Sequence, residues 1–411
     1  MKIIHTGDWH LGKNLEGYTR IDEQKLFLDE LCDICDDNEI DILIVAGDIY
    51  DNSNPSADAE KLFYYYMKKL SNNGQRAIII ISGNHDSSSR LASSSPLAKE
   101  FGIIIEATPK TVIESGKYGD FTVSNVFEGG FEIQKNSEKV VFLTMPYPSE
   151  KNINEIISEE FSENEFQQNY SDKIASIFKE RERFFRDDTV NIVVGHFFIS
   201  GGTSSDSERN IQLGGSYAVD SNVFPEKTQY VAMGHLHRPQ HIKTNVEHSY
   251  YAGSPIQYSK SEIGYAKSVY MIDIKSNSEP VVEKFYLHNY KPIEVWKANS
   301  IEDAIALCDE QKDKNCFVFL EVKTERVFLQ SEIKQIKSLK KDIVEIRTIL
   351  SEKDNEVIYY EEDDDKSISE QFKDFYQNIN GVLPTDEVTE LFLDIIKNVE
   401  EGEWFYETNN A

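Results

Sequence analysis

Short aliphatic runs, each bounded by polar residues, recur along the first 240 residues of the chain. They begin at Ile3, Ile42, Ile78, Ile192 and Val231. Runs of this kind predict buried strands that are covered on both faces. Helical patterns follow the first three runs, at about 21–36, 56–70 and 91–101. This alternation of strands and helices favours a parallel sheet.

The pattern changes between Ile103 and Tyr147 into short alternating segments, which are typical of antiparallel sheet. A polar helical stretch, 149–188, is expected to lie over one side of the molecule. The strands around Val269–Met271 and Val281–Val282 are expected to complete a second sheet. The predicted fold class is therefore α/β, with two packed mixed β-sheets flanked by helices in a first domain, 1–290.

Pro292 marks the start of a small α/β domain, 291–350, whose pattern reads strand, helix, strand, helix, strand. Ser300 and Asp303 resemble a capping box at the start of its first helix. The second helix, 331–341, carries a basic stripe of Lys334, Lys337 and Lys341. Such a stripe is either a solvated face or a contact to phosphate groups, and the sequence leaves both open.

An acidic linker, 351–367, precedes a helical tail, 368–411, with two amphipathic patterns. The apolar stripe of the first pattern is Ile368, Phe372, Phe375, Tyr376 and Ile379. That of the second pattern is Val388, Leu391, Phe392, Ile395, Ile396 and Val399. This C-terminal helix pair either packs back on the main body or docks on the helices of a partner, and docking is the interpretation we prefer.

Composition indicates a well-packed protein. Of the 411 residues, 39% are hydrophobic and 11% are aromatic, which excludes a disordered chain. The four cysteines are too few for a disulfide scaffold, and Cys32 and Cys35 fall in a helical pattern where core packing explains them. No apolar stretch is long enough to cross a membrane, and Asp8 comes too early for a signal peptide. We therefore expect a soluble cytoplasmic protein without a membrane partner.

The net charge of −29 complicates the choice of partner. Phosphate contacts dominate the affinity for nucleic acids and favour basic surfaces. The charge is uneven, however, because residues 351–411 contain 18 acidic and 4 basic residues and carry about half of it. Bound divalent cations would offset more charge locally. The composition therefore disfavours a nucleic-acid substrate without excluding one.

Residues of the types that bind metals follow each aliphatic run. They are Asp8, His10, Asp48, Asn84, His85, Asp86, His196, His235 and His237. Any one of them could merely cap a turn, but strand ends in open α/β sheets meet in one crevice. Oxygen and nitrogen ligands without cysteine are typical of manganese, iron or zinc hydrolytic centres. There are too many for one ion, which favours a two-ion site for phosphoester hydrolysis with Asp48 as its bridge.

The motifs around these residues resemble the five signatures of calcineurin-like metallophosphoesterases. They are Asp8-x-His10, Gly47-Asp48-x-x-Asp51, Gly83-Asn84-His85-Asp86, Gly195-His196 and Gly234-His235-x-His237. The opening His5–Gly12, Ser207-Glu208-Arg209 and Gly253-Ser254-Pro255 further resemble the SbcD family, the nuclease subunits of bacterial SbcC–SbcD complexes. After about residue 290 the resemblance is one of architecture: a capping domain and a partner-binding tail.

The resemblance implies a role for each site residue. One ion would be bound by Asp8, His10, Asp48 and His237, and the other by Asp48, Asn84, His196 and His235. Two Mn²⁺ ions are the expected cofactors. His85 would contact the scissile phosphate and protonate the leaving oxygen, and Asp51 would orient His85.

Three functions are compatible with these features. The resemblance favours a metal-dependent DNA exonuclease and endonuclease in DNA repair and recombination, working on DNA ends and hairpins with an SbcC-type coiled-coil ATPase. The chain has no G-x-x-x-x-G-K-[ST] loop of its own, so ATP dependence would come from that partner. The alternatives are a stand-alone phosphodiesterase or phosphatase for small molecules or phosphoproteins, and a structural clamp for the ATPase. A homodimer within a heterotetramer is also expected.

Overall fold

The chain folds as two compact units, Met1–Ile349 and Leu350–Ala411. The computed structural model describes residues 1–149, 151–153, 163–208, 218–324, 326, 328–349, 367–380, 383–385 and 388–393. The first unit contains two large sheets and a small three-stranded sheet, and the second contains the helical tail.

The strands lie in the first unit. They are β1 (Lys2–Thr6), β2 (Asn14–Leu15), β3 (Tyr18–Thr19), β4 (Ile42–Ala46), β5 (Ala77–Ile81), β6 (Ile103–Glu106), β7 (Gly116–Tyr118), β8 (Phe121–Phe127), β9 (Gly130–Lys135), β10 (Glu138–Met145), β11 (Val190–His196), β12 (Tyr230–Gly234), β13 (Gln240–His241), β14 (Ser249–Tyr251), β15 (Ser268–Asp273), β16 (Val281–Tyr286), β17 (Ile293–Ala298), β18 (Phe317–Lys323) and β19 (Ile343–Ile349).

The α-helices connect these strands and continue into the second unit. They are α1 (Ile21–Asp37), α2 (Ala57–Leu70), α3 (Ser88–Ala92), α4 (Ser95–Glu100), α5 (Glu163–Arg181), α6 (Ile301–Glu310), α7 (Gln330–Leu339) and α8 (Ile368–Asn380). Short 3₁₀ turns occur at Asn72–Gly74, Glu182–Phe184 and Lys260–Glu262. None of the helices in the described ranges is both long and apolar enough to cross a membrane.

The first sheet has the strand order β16-β15-β1-β4-β5-β6. Strands β1, β4, β5 and β6 are parallel, whereas β15 pairs antiparallel with β1 and with β16. The prediction that the strands around Val269 and Val281 complete the second sheet is therefore wrong. They extend the first sheet at its β1 edge because β1 offers a free strand edge, and a sequence pattern does not name the partner of a strand.

The second sheet has the order β13-β14-β12-β11-β10-β9-β8-β7. Its central strands, β10, β11, β12 and β14, are parallel, and the meander from β7 to β10 is antiparallel, as the alternating pattern predicted. The predicted fold class of two mixed sheets with flanking helices is confirmed.

Side chains alternate between the two faces of each sheet and so form three apolar layers. Residues such as Ile44, Ile79, Phe142 and Ile192 fill the space between the sheets. The opposite face of the first sheet packs against α1 and α2. The opposite face of the second sheet packs against α5. Both sheets are thus covered on both faces, which explains why the strands with aliphatic runs are buried as predicted.

The helix predicted over 91–101 is instead two short helices, α3 and α4. Pro96 lies in the first turn of α4. Proline has no amide hydrogen to donate and is tolerated only in the first turn of a helix, so the helix is interrupted here.

The free thiols of Cys32 and Cys35 are buried on α1, which confirms that they belong to the core.

The small sheet has the order β17-β18-β19 with all strands parallel. Ser300 caps α6 by accepting a hydrogen bond from the amide of Asp303 at 3.0 Å. The hairpin of β2 and β3 supports this sheet, because Tyr18 Oη donates to the Ile343 carbonyl at 2.8 Å.

In the second unit, α8 occupies the position of the first predicted tail helix, and residues 388–393 are helical. Phe372 and Phe392 stack with ring centroids 3.8 Å apart. The predicted linker up to residue 366, and the stripe residues Ile395, Ile396 and Val399, lie outside the described residues.

Candidate metal centre

The seven predicted ligands lie where strands of the two sheets end. Asp8 and His10 follow β1, Asp48 follows β4, Asn84 follows β5, His196 ends β11, and His235 and His237 follow β12. The strands are parallel within each sheet, so their carboxyl ends share one edge. Asn84 is partly exposed, and the other six are buried. The structure therefore brings all seven side chains together.

The backbone at these positions is strained. Asp8, His10, Asp48 and His235 have φ angles of 52°, 45°, 49° and 107°, in a region that residues other than glycine rarely adopt. Such strain costs about 1–3 kcal/mol per residue and clusters at functional sites. The neighbouring Gly83 is required by space, because a Cβ atom there would overlap the Asp48 carboxylate. The loops are thus built to bring backbone and ligands close together.

Asp48 lies at the centre of the cluster. Its Oδ2 is 3.4 Å from His196 Nε2 and 3.6 Å from His10 Nε2. Its Oδ1 accepts a hydrogen bond from the main-chain amide of His85 at 2.9 Å. One oxygen is therefore fixed by the backbone, while the other faces histidines from both sheets.

Two groups of ligand atoms converge around Asp48. In one, Asp8, His10 and His237 each offer an atom within 4.8 Å of the others, and the Nε2 atoms of His10 and His237 are 2.9 Å apart. In the other, Asp8, Asp48 and His196 meet the same limit.

The Asn84 side chain extends the second group. Its Oδ1 lies 3.0 Å from His196 Nε2 and 3.1 Å from His235 Nδ1. The members of both ligand sets implied by the resemblance are thus neighbours, and Asp8 reaches both sets.

Burial controls the charge states of these groups. It raises the pKa of Asp8 to about 7, although His196 and His237 act in the opposite direction. Burial lowers the pKa of His10 well below its ordinary value and that of His235 to about 3. At neutral pH these two imidazoles are therefore uncharged, and each has a lone pair to offer to a cation.

Asp48 and His196 form an ion pair within the cluster. Burial raises the pKa of Asp48, but His196 and His10 outweigh it and bring the pKa well below its ordinary value. Burial lowers the pKa of His196, but Asp48 and Asp8 outweigh it and bring the pKa to about 9. The Asp48 carboxylate is therefore ionised, and the protonated His196 is the positive charge beside it.

Divalent cations fit these donors. Among the described residues, no hydrogen-bond partner reaches Asp8 Oδ2 or His235 Nε2, although both atoms are buried. An unsatisfied buried polar atom costs about 1–3 kcal/mol, so native proteins leave few of them. Carboxylate, amide and imidazole donors together suit manganese, iron or zinc. Metal ligation would satisfy both atoms.

His85 is held by the main chain of Asp51, the residue that the resemblance implied would orient it. His85 Nδ1 donates to the main-chain carbonyl of Asp51 at 2.6 Å. The Asp51 carboxylate accepts from Lys13 Nζ at 2.8 Å and lies 4.0 Å from His10 Nδ1. Asp51 thus contacts His85 through its main chain, and its carboxylate pairs with Lys13; that Asp51 orients His85 stays a prediction. A carbonyl oxygen only accepts, so the proton is on Nδ1 and Nε2 faces Asp48 at 4.0 Å.

Sequence reasoning did not assign roles to the residues behind His237. Its Nδ1 lies 2.6 Å from Ser207 Oγ, and its amide donates to Glu208 Oε1 at 2.7 Å. Glu262 lies behind Ser207 and pairs with Lys267. The resemblance of Ser207-Glu208-Arg209 to a family motif was a signal for the first two residues. No local pattern marks Glu262 or Lys267.

Comparisons with known proteins agree with this geometry. The family described as calcineurin-like phosphoesterase matches residues 1–239, and the family described as type 5 capsule protein repressor C-terminal domain matches residues 289–380. The SbcD subunit of the SbcCD nuclease of Bacillus subtilis (strain 168) is 38% identical over 405 residues, which cover 98% of this chain and 99% of that protein.

Other relatives are more distant. The SbcD subunit of the SbcCD nuclease of Staphylococcus saprophyticus is 28% identical over 324 residues, which cover 79% of this chain and 78% of that protein. A solved dimetal phosphatase from Danio rerio is 12% identical, with a TM-score of 0.37. The match covers 69% of this chain and 99% of the phosphatase chain. That last similarity is too low to carry an argument.

Proposed function

This chain belongs to the family of SbcD nuclease subunits, and from this premise we propose that it hydrolyses phosphodiester bonds at DNA ends and hairpins together with an SbcC-type coiled-coil ATPase. The observation that carries the proposal is the position of Asp48 Oδ2 between His10 of the first sheet and His196 of the second. A carboxylate so placed suits a pair of divalent ions, and such pairs are used for phosphoester hydrolysis.

We propose Asp8, His10, Asp48 and His237 as ligands of one ion, and Asp48, Asn84, His196 and His235 as ligands of the other. Mn²⁺ is the ion we favour, because the donors are oxygen and nitrogen atoms without thiolate. The ions would polarise the phosphate group and lower the pKa of water. The protein contributes the fixed positions of the donors, which the strained loops impose before any substrate arrives.

His85 in its imidazolium form, with protons on both nitrogens, is the proposed proton donor to the leaving oxygen: it would give up the Nε2 proton and keep the Nδ1 proton. Its Nδ1 is held by the Asp51 carbonyl, so its Nε2 is aimed into the cluster. The side chain is only 6% exposed, which limits the directions from which it can exchange protons with solvent. A positioned imidazole of this kind contributes about 10²–10⁴-fold to a rate.

We propose the domain boundaries 1–290 for the nuclease domain, 291–350 for the capping domain, 351–367 for the linker and 368–411 for the partner-binding tail.

Two features support a second copy of this chain and the ATPase as partners. Tyr64 on α2 and Leu97 on α4 are 47% and 77% exposed and line one apolar groove, as in a surface that a further chain covers. Leu391 in the tail is 61% exposed. Cytoplasmic location and a role in DNA repair stay predictions.

A nuclease assay tests the main proposal. Linear duplex and hairpin DNA are incubated with the purified chain in Mn²⁺ or EDTA, with and without the ATPase and ATP. We expect Mn²⁺-dependent cleavage that the ATPase with ATP extends. Hydrolysis of a small phosphodiester such as bis-p-nitrophenyl phosphate without any DNA cleavage would instead support the stand-alone alternative.

The tail proposal needs a separate test. Leu391→Glu with Ile395→Glu places two charges in the proposed apolar contact, and each buried unpaired charge costs several kcal/mol. We expect co-elution with the ATPase in size-exclusion chromatography to be lost, while Mn²⁺-dependent cleavage by the isolated chain is retained. Glu390→Gln, at an exposed neighbouring position, is the control. A complex that survives both charges would exclude this stripe as the contact.

A further inference from the structure

His85, His196 and His237 each turn one ring nitrogen away from the cluster. The hydrogen-bond partner of that nitrogen differs among the three. His196 Nδ1 lies 2.8 Å from the main-chain carbonyl of Ala46, and His85 Nδ1 lies 2.6 Å from that of Asp51. A carbonyl only accepts, so the backbone alone places the proton on Nδ1 in both rings. His237 Nδ1 faces the hydroxyl of Ser207 instead, at 2.6 Å. A hydroxyl can donate or accept, so something further must decide the tautomer of His237.

Glu262 makes that decision. Ser207 Oγ donates to Glu262 Oε1 at 2.6 Å, and an ionised carboxylate only accepts. Serine has one hydroxyl proton, so Ser207 must accept from His237. His237 therefore carries its proton on Nδ1, and the lone pair of Nε2 faces His10 Nε2, 2.9 Å away.

Lys267 keeps the carboxylate of Glu262 fixed. Its ammonium donates to Glu262 Oε2, to Ser254 Oγ at 2.7 Å and to the His237 carbonyl at 2.9 Å. Both Glu262 and Lys267 are buried, at 0% and 5% exposure. The three ammonium protons are thus all used, and the last of these bonds holds the backbone of His237 in place. A buried pair with complete hydrogen bonding of this kind is rigid.

We propose that Ser207 and Glu262 are positioning residues that hold His237 in the Nδ1–H tautomer, so that its Nε2 presents a lone pair to a cation. The inference rests on the metal site of the proposed function. Partners behind a metal-ligating histidine fix its tautomer and ring orientation, and their loss costs about 10–100-fold in metal affinity. Ser207 and Glu262 reach the ion only through His237, so the ion that His237 binds should be affected and the other should not.

Glu262→Gln should reverse the direction of the hydrogen bonds that join residue 262, Ser207 and His237. Lys267 requires an acceptor, so the amide oxygen will face Lys267 and the amide nitrogen will face Ser207. Ser207 then accepts from Gln and has two acceptors for its own proton, His237 Nδ1 and Ser205 Oγ at 2.8 Å. With Ser205→Ala added, Ser207 donates to His237 Nδ1, which moves the imidazole proton to Nε2. The main-chain amide of Tyr258, which donates to Glu262 Oε1 at 3.1 Å, loses its acceptor, so thermal unfolding must be measured alongside.

The test measures two quantities on the full-length chain. Isothermal titration with Mn²⁺ gives the affinity of each site, and ¹⁵N chemical shifts of the histidines in metal-free protein, at about pH 9.5 where imidazoles are normally neutral, give the tautomer. We expect Glu262→Gln combined with Ser205→Ala to place the proton of His237 on Nε2, whereas Ser205→Ala alone should leave it on Nδ1. Glu262→Gln and Ser207→Ala should each weaken one Mn²⁺ site by about 10–100-fold. Ser207→Thr keeps the hydroxyl and should keep both sites.

Glu132→Gln is the matched control. Glu132 is also a buried carboxylate with a cationic partner, Arg186 at 2.8 Å, but it lies on β9 away from the ligands. It should lose stability without losing Mn²⁺. Two wild-type Mn²⁺ affinities in both Glu262→Gln and Ser207→Ala, with an unchanged tautomer in the combined Glu262→Gln and Ser205→Ala variant, would overturn the inference. If wild-type protein binds no Mn²⁺ at all, the proposed function fails, and the tautomer measurement still decides the inference.

Discussion

Similar polar residues follow strands in the large sheets and in the small sheet, but their backbone conformations and hydrogen bonds differ. After β17, Ser300 has an extended backbone and its side chain caps α6, so its oxygen accepts a hydrogen bond. After β1, Asp8 has a φ angle of 52°, and its buried Oδ2 has no partner in the described part of the chain. A polar residue at a strand end thus indicates a site only when its atoms are left unsatisfied and converge with others.

The backbone shows the same contrast. Asp8, His10, Asp48 and His235 all have positive φ angles, whereas no residue described between 293 and 349 does. Strain of about 1–3 kcal/mol per residue persists only where the surroundings impose it. The parallel strands of the large sheets therefore hold their loops in costly conformations that the parallel strands of the small sheet avoid. Four substitutions test whether this difference reflects metal binding.

The largest effect is expected for Asp48→Asn. The variant removes a charge from the one oxygen that faces histidines of both sheets, so both ions should be weakened, each by more than the roughly 10–100-fold typical of residues behind a ligand. Metal content of the purified variant measures this. Two fully bound ions per chain would show that Asp48 does not bridge them.

His85→Gln should affect turnover without affecting metal. Losing a proton donor is expected to slow cleavage by about 10²–10⁴-fold, while both ions remain bound. Single-turnover cleavage and metal analysis on the same preparation separate the two. A collapse of metal content would make His85 a ligand rather than an acid.

Asp51→Ala should have a much smaller effect. The main-chain carbonyl that holds His85 is kept. The carboxylate is lost together with its pair to Lys13, which is worth about 0–1 kcal/mol because it is partly exposed, and a longer contact of 4.0 Å to His10 Nδ1. Turnover should fall by less than about tenfold, well under the loss of a proton donor. A loss as large as that of His85→Gln would instead assign the orienting role to the carboxylate.

Ser300→Ala should leave the metal centre unchanged. Removing a helix cap costs about 0.5–2 kcal/mol of stability, which thermal unfolding can detect. Mn²⁺ affinity and turnover should equal those of the wild type. Any loss of metal would contradict the contrast between the two sets of strand ends.

The sequence located the candidate metal-binding residues better than the groups that surround them. Asp8, Asp48 and His196 could be found because parallel strands bring their carboxyl ends to one edge, whatever the rest of the fold does. The sheet that β15 and β16 join could not be predicted, because an alternating pattern indicates a strand but not the strand it pairs with. Pro96 does signal the break between α3 and α4, but the apolar spacing on either side of it continues as in one helix.

Contacts behind the ligands were the least predictable. Asp51 holds His85 through a carbonyl that every residue has, so its residue type gives no signal. Glu262 reaches His237 from 25 positions along the chain through the hydroxyl of Ser207, which lies 30 positions before His237. Only the folded arrangement places these groups in one network.

The proposed ligands come from both sheets, so ions bound there would cross-link two layers. Asp8 and Asp48 follow strands of the first sheet, and His196 and His237 end or follow strands of the second. Elsewhere the layers meet mainly through apolar side chains, with a few polar contacts such as His5 Nδ1 to Tyr230 Oη at 3.0 Å. An ion that binds only the folded chain adds to its free energy of unfolding, by about 2.7 kcal/mol at 100 times the dissociation constant. Metal supply would therefore set how much folded protein a cell retains, and starvation for the ion would remove the nuclease as well as silence it.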